Sequence, residues 1–311
     1  MNAITEKLNR SWRLFKCSVQ VVRDHPKLLI FPIVTGLLTT AIALFFLAPV
    51  ALVLLAPNWI AGSGVQALAD KIGFLRFQHG ATFNFQVQPL GTAILGGIYL
   101  VNMFLATMAS VAFNHQIMEA LGSRPVSISR GIEAACTRWK SVLLWSLLAG
   151  VVGLIIRALE ERLAFVGRLV AGFIGLAWSI AAIFAIPILA SDPSVSNPFT
   201  VLSKSATTIR RTWGEMLAGY AGMGGTNLLV VMLSILFWVV TGAVALLLSN
   251  PWLLLAGVPW LLAVISYGYL ASIASRVYLC ALYLYATEGV VPGHYDAPMM
   301  SMGWKMKKVV S

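Results

Sequence analysis

Charge is scarce in this chain: only 11% of its 311 residues are Asp, Glu, Lys or Arg, where a soluble domain carries about 25%. With 59% hydrophobic residues, that shortage excludes an ordinary water-soluble fold, and lipid is the expected solvent. Cysteine is sparse as well. Cys17, Cys136 and Cys280 are scattered, so neither a disulfide framework nor a CxxC metal pair is present. Histidine numbers four, with no HExxH and only scattered Ser-His-Asp candidates, so metal hydrolysis and a nucleophilic triad lack support. The chain is expected to be no enzyme, with no cofactor, no metal and no nucleic-acid partner.

What the sequence does contain is long runs without charge. A bilayer core about 30 Å thick needs roughly 20 apolar helical residues. Leu28 to Pro57 and Pro89 to Phe113 qualify outright, Ser141 to Ile156 runs into Arg157, and Leu169 to Ala190 follows. Between Met216 and Ser275 no Asp, Glu, Lys, Arg or His occurs. That is too long for one crossing, and Ser249-Asn250-Pro251 is a turn signal near its middle. Six transmembrane helices are therefore expected. The first apolar run is too long for a cleavable signal and follows a basic lead, so it should act as a signal anchor.

Basic residues outnumber acidic ones 22 to 11, and their placement orients the spans. Seventeen fall on one side: the lead from Lys7 to Lys27, the loop from Arg124 to Lys140, the loop from Lys204 to Arg211, and the tail from Arg276. Lys71, Arg76, Arg157, Arg162 and Arg168 fall on the other. Because Lys and Arg in short loops stay cytoplasmic, both termini are expected in the cytoplasm of a multi-pass membrane protein. The three cysteines lie on or near that reducing side.

Each cytoplasmic segment leading into a hairpin repeats one pattern. Apolar residues recur at helical spacing as Ile4, Leu8, Trp12, Phe15, Val19 and Val22, again as Ile128, Ile132, Ala135 and Trp139, and again as Phe199, Leu202, Ala206, Ile209 and Trp213. Arg10, Arg13 and Lys16, then Arg130 and Arg138, then Arg210 and Arg211 lie off or beside the stripe. A basic amphipathic helix resting on anionic headgroups fits the pattern; a connecting helix packed on the bundle is the alternative. Ser18 stands eight residues before Pro26 as Ser205 stands eight before Trp213.

The expected fold is all-α and integral to the membrane, one membrane domain over 1–311. It has three hairpins, each preceded by an interfacial helix: unit one 1–113, unit two 124–190, unit three 198–288, then a cytoplasmic tail 289–311. The extracytoplasmic loop 58–88 alternates polar and apolar residues from Thr82 to Val87, a strand pattern that pairs back onto Phe74 to Phe77 as a β-hairpin.

Polar groups near the spans are few. Arg157, Glu161 and Arg168 cluster where spans three and four meet, either as a charged vestibule or as a solvated turn. Gly222, Gly225 and Asn227 lie in a Gly-rich stretch of span five, either a discontinuous helix exposing backbone to a solute or a close helix contact. His115 and Glu119 share a helical face, but two ligands do not make a metal site.

Arg10-Ser-Trp-Arg-Leu-Phe-Lys-Cys-Ser18, Asp24-His-Pro-Lys-Leu-Leu-Ile-Phe-Pro32, Pro187-Ile-Leu-Ala190, Leu202-Ser-Lys-Ser205 and Arg211-Thr-Trp-Gly-Glu215 resemble a domain-of-unknown-function family of bacterial multi-pass membrane proteins. The resemblance runs from about Arg10 to Glu288. More distantly the pattern is similar to the membrane domain of some glycerophosphodiester phosphodiesterases, without their catalytic domain. It implies a fold and a bacterial inner-membrane location, and no reaction. The expected role is a non-enzymatic protein that organises lipid or scaffolds a membrane partner, another protein or itself. A transporter or channel for a small or amphiphilic solute is the alternative.

Overall fold

The computed structural model describes residues 2–37, 39–41, 44, 89–163, 165–250, 252, 255 and 257–295, with backbone alone at 2–12, 89–95, 165–166 and 213–226. Among the described residues all regular structure is helical. Helix α1 is Asn2–Asp24, followed by a 3-10 turn at Pro26–Leu29 and helical residues 30–37. Then come α2 (Pro89–Leu121), α3 (Ile128–Thr137), α4 (Trp139–Arg162), α5 (Phe165–Ala181), α6 (Ala185–Ser191), α7 (Pro198–Leu247) and α8 (Gly257–Glu288). Five stretches are long and apolar enough to cross a membrane: Gly96–Leu121, Trp139–Arg162, Gly167–Ser191, Asn227–Leu247 and Gly257–Glu288. The chain is thus built as a multi-pass membrane protein. Most of the first expected span, and the whole β-hairpin loop, lie outside the described residues.

Local chemistry sets the helix ends. Pro26 forces His25 out of the helical region, to φ −125° and ψ 70°, and α1 stops. At the end of α2, Ser123 adopts φ +57° and the Arg124 amide reaches back to the Glu119 carbonyl at 2.8 Å, which satisfies a carbonyl left over by the last turn. Ser249 does the same for α7, with φ +49° and Asn250 N–H to Ala245 O at 2.9 Å; this is the turn anticipated between the last two spans. Asn197 opens α7 by accepting the Phe199 amide at 2.9 Å, ahead of Pro198.

The fourth span is broken. Pro187 lacks an N–H and its ring crowds the carbonyl four residues back, that of Ile183, so residues 182–184 form a turn between α5 and α6. Span five shows the opposite. Of the two readings of the Gly-rich stretch through Gly222 and Gly225, a discontinuous helix is excluded, since α7 runs unbroken for 50 residues, about 75 Å at helical rise. A glycine costs a helix only about 1 kcal/mol, whereas proline removes a hydrogen bond outright. The third repeat is therefore no separate helix but the start of α7.

One apolar cluster holds the protein together, drawing Leu14 and Val21 from α1, Val111 to Phe113 and Ile117 from α2, Val142 and Trp145 from α4, Phe184 to Ala190 around α6, Val201 from α7 and Ile273 to Tyr283 from α8. All belong to the helix ends that carry most of the basic residues. The far halves are apolar and open, as at Phe173, Leu228, Val239 and Leu262. Only 6% of the Asn227–Leu247 span is buried, so this surface faces whatever solvates the bundle.

The buried faces differ from the expected stripes. On α1 the inward line is Leu14, Ser18, Val21 and Val22; on α7 it is Val201, Ser205, Thr208, Ile209 and Thr212, while Phe199 is 66% exposed. Small and hydroxyl residues let helices approach closely, and Thr208 and Thr212 return their protons to carbonyls one turn back, both at 2.9 Å. Trp145 is buried and stacked on Trp178 with ring centroids 6.0 Å apart. Among the helical glycines, Gly150 and Gly153 sit against Leu100 and Tyr99 of α2, and Gly175 against Ile156, but Gly268 has open space around it.

Candidate functional site: a basic collar around a buried break

The break ahead of Pro187 leaves the Phe184 amide without its helical acceptor. Ser205 on α7, fully buried, supplies one: its Oγ accepts the Phe184 N–H at 3.2 Å. At the other end of α6 the last carbonyls lack partners by rule, and Arg138, at the corner between α3 and α4, donates Nη1 to Leu189 O at 2.9 Å and to Ala190 O. Ser191 donates to the Tyr283 hydroxyl at 3.0 Å. A seven-residue helix is thus held from α3–α4, α7 and α8 at once.

Asp192 closes the collar. Its Oδ2 lies 2.7 Å from Lys204 Nζ, and its Oδ1 accepts both the amide and hydroxyl of Ser194. The Lys204 ammonium, with the Ser194 hydroxyl next, holds this carboxyl down to about 2. Burial pulls Arg138 below the ordinary arginine value, and Asp192 opposes that shift.

A second fastening lies against α1. The Tyr295 hydroxyl meets Ser18 Oγ at 2.8 Å, both side chains buried, while Ser18 also donates to Leu14 O. Next to it His294 Nε2 lies 2.8 Å from Asp24 Oδ2. Burial raises the Tyr295 phenol well above its usual range. Tyr269 on α8 donates to the Leu29 carbonyl, so α1 and the 3-10 turn are tied to α8 and to the segment after it.

The residues singled out from sequence are distributed as follows. Arg157 and Glu161 pair at 2.9 Å but stay 77% and 65% exposed; Arg168 is exposed on α5, and no contact draws it to that pair among the described side chains. Asn227 accepts from Tyr267 at 3.1 Å on an exposed face. Gly222 and Gly225 are helical, and Arg10 is placed only by its backbone in α1. Arg13, Arg210 and Arg211 are exposed, as is Lys16, and Arg130 reaches the Pro125 carbonyl at 2.5 Å. Arg138 is engaged by the interior, through the Leu189 and Ala190 carbonyls. Among the described residues no group of three His, Cys, Asp or Glu is arranged to hold a metal ion.

The comparison with known families fits this arrangement. A model described as a family of unknown function, DUF6159, matches residues 90–293. The chain belongs to that family. The DUF6159 match takes in α2 to α8, and with them the Pro187 break, Ser205, Arg138 and the Asp192–Lys204 pair. Helix α1 and Tyr295 flank it on either side, and they bond to each other. No curated protein and no solved structure matches the chain.

Proposed function

We propose that this DUF6159 protein is a non-enzymatic bacterial inner-membrane protein that organises anionic lipid, or scaffolds a membrane partner, through the basic end of its bundle. In this reading both termini are cytoplasmic, and the first span, completed beyond the described residues, makes six spans in three hairpins. The first two hairpins are preceded by basic helices, α1 and α3, at the headgroup layer, and the third by the basic opening turns of α7 itself. The observation that carries the proposal is the coincidence of tight packing and positive charge at one end of an otherwise open apolar bundle. Arg13, Arg23, Lys27, Arg210 and Arg211 are exposed around the very core that fixes the helices. A rigid cationic rim above an apolar surface suits anionic headgroups with their chains running down the spans.

Full-length protein extracted in mild detergent should retain phosphatidylglycerol over phosphatidylcholine in native mass spectrometry, and the preference should shrink as ionic strength rises. Equal retention of both lipids would sink the lipid reading. Orientation is tested through Cys136, exposed at the basic end: an impermeant thiol reagent should label it in inverted vesicles and not in intact spheroplasts.

Solute transport is the second reading, supported by the Asn227–Tyr267 pair set within two spans. The unbroken course of α7 past the glycines removes the discontinuous helix that would have favoured it most.

A further inference from the structure

One group of ionisable side chains gathers around the junction of α2 with α3 and reaches the α3–α4 corner at Arg138. Gln116, fully buried, accepts the Ser127 amide through Oε1 at 2.7 Å. That fixes its amide orientation, so Nε2 is the atom 3.2 Å from His115 Nδ1. An amide nitrogen only donates; Nδ1 must accept, and the His115 proton resides on Nε2, facing away from Gln116. Around this ring stand Glu119, one turn on, and three guanidinium groups within electrostatic reach, those of Arg138, Arg124 and Arg130.

Each arginine is tethered without being used up. Arg124 pairs with Glu119 at 3.0 Å while 63% exposed, Arg130 holds the Pro125 carbonyl, and Arg138 holds two carbonyls through Nη1 alone. A guanidinium carries five N–H donors, so these contacts do not exhaust any of the three arginines. With Asp192 and its partner Lys204 beside Arg138 counted in, four cations stand against two carboxylates, so the cluster carries a net charge of about +2. It repels a metal cation, which disposes of His115 and Glu119 as metal ligands, and favours an anion with several acceptor oxygens. Its depth is set by its neighbours, since α2 ends at Leu121 and α4 begins at Trp139, 48% exposed with Lys140 lying 5.8 Å from its ring. Two spans ending together place the cluster at headgroup level.

We propose that Arg124, Arg130, Arg138 and the Nε2–H of His115 form a binding site for the phosphate of an anionic phospholipid headgroup. The proposal rests on the lipid reading above and adds a place to it. Arginine forks match phosphate oxygens, and tethered arginines lose little freedom on binding.

The test uses the full-length protein, native mass spectrometry and phosphatidylglycerol titration, with Arg124→Gln plus Arg130→Gln as the variant. Both side chains are exposed, and Arg138, which fastens α6, is left in place; thermal melts confirm that the variants remain folded. The control is Arg162→Gln plus Arg168→Gln, the same loss of charge on exposed side chains at the opposite end. The expected result is about tenfold weaker retention of phosphatidylglycerol in the first variant and less than twofold change in the control. Equal loss in both overturns the site while leaving a diffuse lipid surface standing. No preference for phosphatidylglycerol in the unmodified protein overturns the lipid reading and the site with it. Inorganic phosphate displacing the lipid at equal concentration overturns the lipid assignment, because a free phosphate would then be the ligand.

Discussion

Ser205 on α7 accepts the backbone amide of Phe184, which lies in the turn that breaks the fourth span ahead of Pro187. Replacing Ser205 by Ala leaves that N–H buried and unpaired, at a cost of about 1–3 kcal/mol. Ser203, exposed one turn-edge away, should tolerate Ala with little change. Detergent-solubilised thermal melts of the two variants distinguish them, and equal Tm values would show that the break needs no cap.

Gly131 on α3 is the tightest crossing described in the basic end. An added Cβ would lie 2.9 Å from Gln116 Cγ, 3.0 Å from the Ala112 carbonyl and 3.2 Å from Phe31 Cζ. The carbonyl belongs to a packed helix and cannot swing aside, so Gly131→Ala should lift α3 and destabilise by about 1–3 kcal/mol. Gly172 on α5 has nothing within 4 Å. Gly172→Ala should therefore be neutral, or stabilising by about 0.5–1 kcal/mol through helix propensity. The opposite signs are readable in parallel melts.

Asp192 makes stability fall in acid. Its folded value is depressed from 3.8 to about 2, so the contribution is complete above pH 4 and is lost as pH falls toward 2. Since the pair with Lys204 is partly exposed, the effect is modest. Melts between pH 6 and 2 should show a steeper decline for the unmodified protein than for Asp192→Asn, and parallel curves would refute the linkage.

Ser18 and Tyr295 should respond asymmetrically. Tyr295→Phe removes one hydrogen bond, about 1 kcal/mol, because Ser18 keeps its bond to Leu14 O. Ser18→Ala strands a buried phenol and should cost more, about 1–3 kcal/mol. A double-mutant cycle with hydrogen exchange on α1 measures the coupling, and additivity would mean that the 2.8 Å contact carries none.

Much of the membrane architecture is legible because one physical fact dominates it: charge is excluded over the length of a bilayer core, and only a local turn signal such as Ser249-Asn250 interrupts. The correspondence of Ser18 with Ser205 is visible as spacing, but its reason is not. Both are fully buried hydroxyls, each answering a polar group that another part of the chain leaves open. Hydropathy misplaces the inner face of α7 since Ser205, Thr208 and Thr212 count as polar, although the two threonines satisfy themselves within their own helix. The task of Arg138 is equally hidden. Its acceptors are main-chain carbonyls of Leu189 and Ala190, about fifty positions later, and a carbonyl leaves no trace in a sequence. Pro187, by contrast, carries the reason for its break in its own ring, whereas the glycines of α7 admit a break and a continuous helix alike, and the structure takes the continuous one.

The bond between Ser18 and Tyr295 also fixes an order of events during synthesis. Helix α1 leaves the ribosome first, yet the helices it packs against are α7 and α8, and the hydroxyl that meets Ser18 is made 277 residues later. At about 5–20 residues per second, α1 waits on the order of tens of seconds with Leu14, Val21 and Val22 uncovered. Until those later helices are made, that apolar face has no partner within the chain, so α1 can take its final place in the bundle only after α8 and the Tyr295 segment have been synthesised.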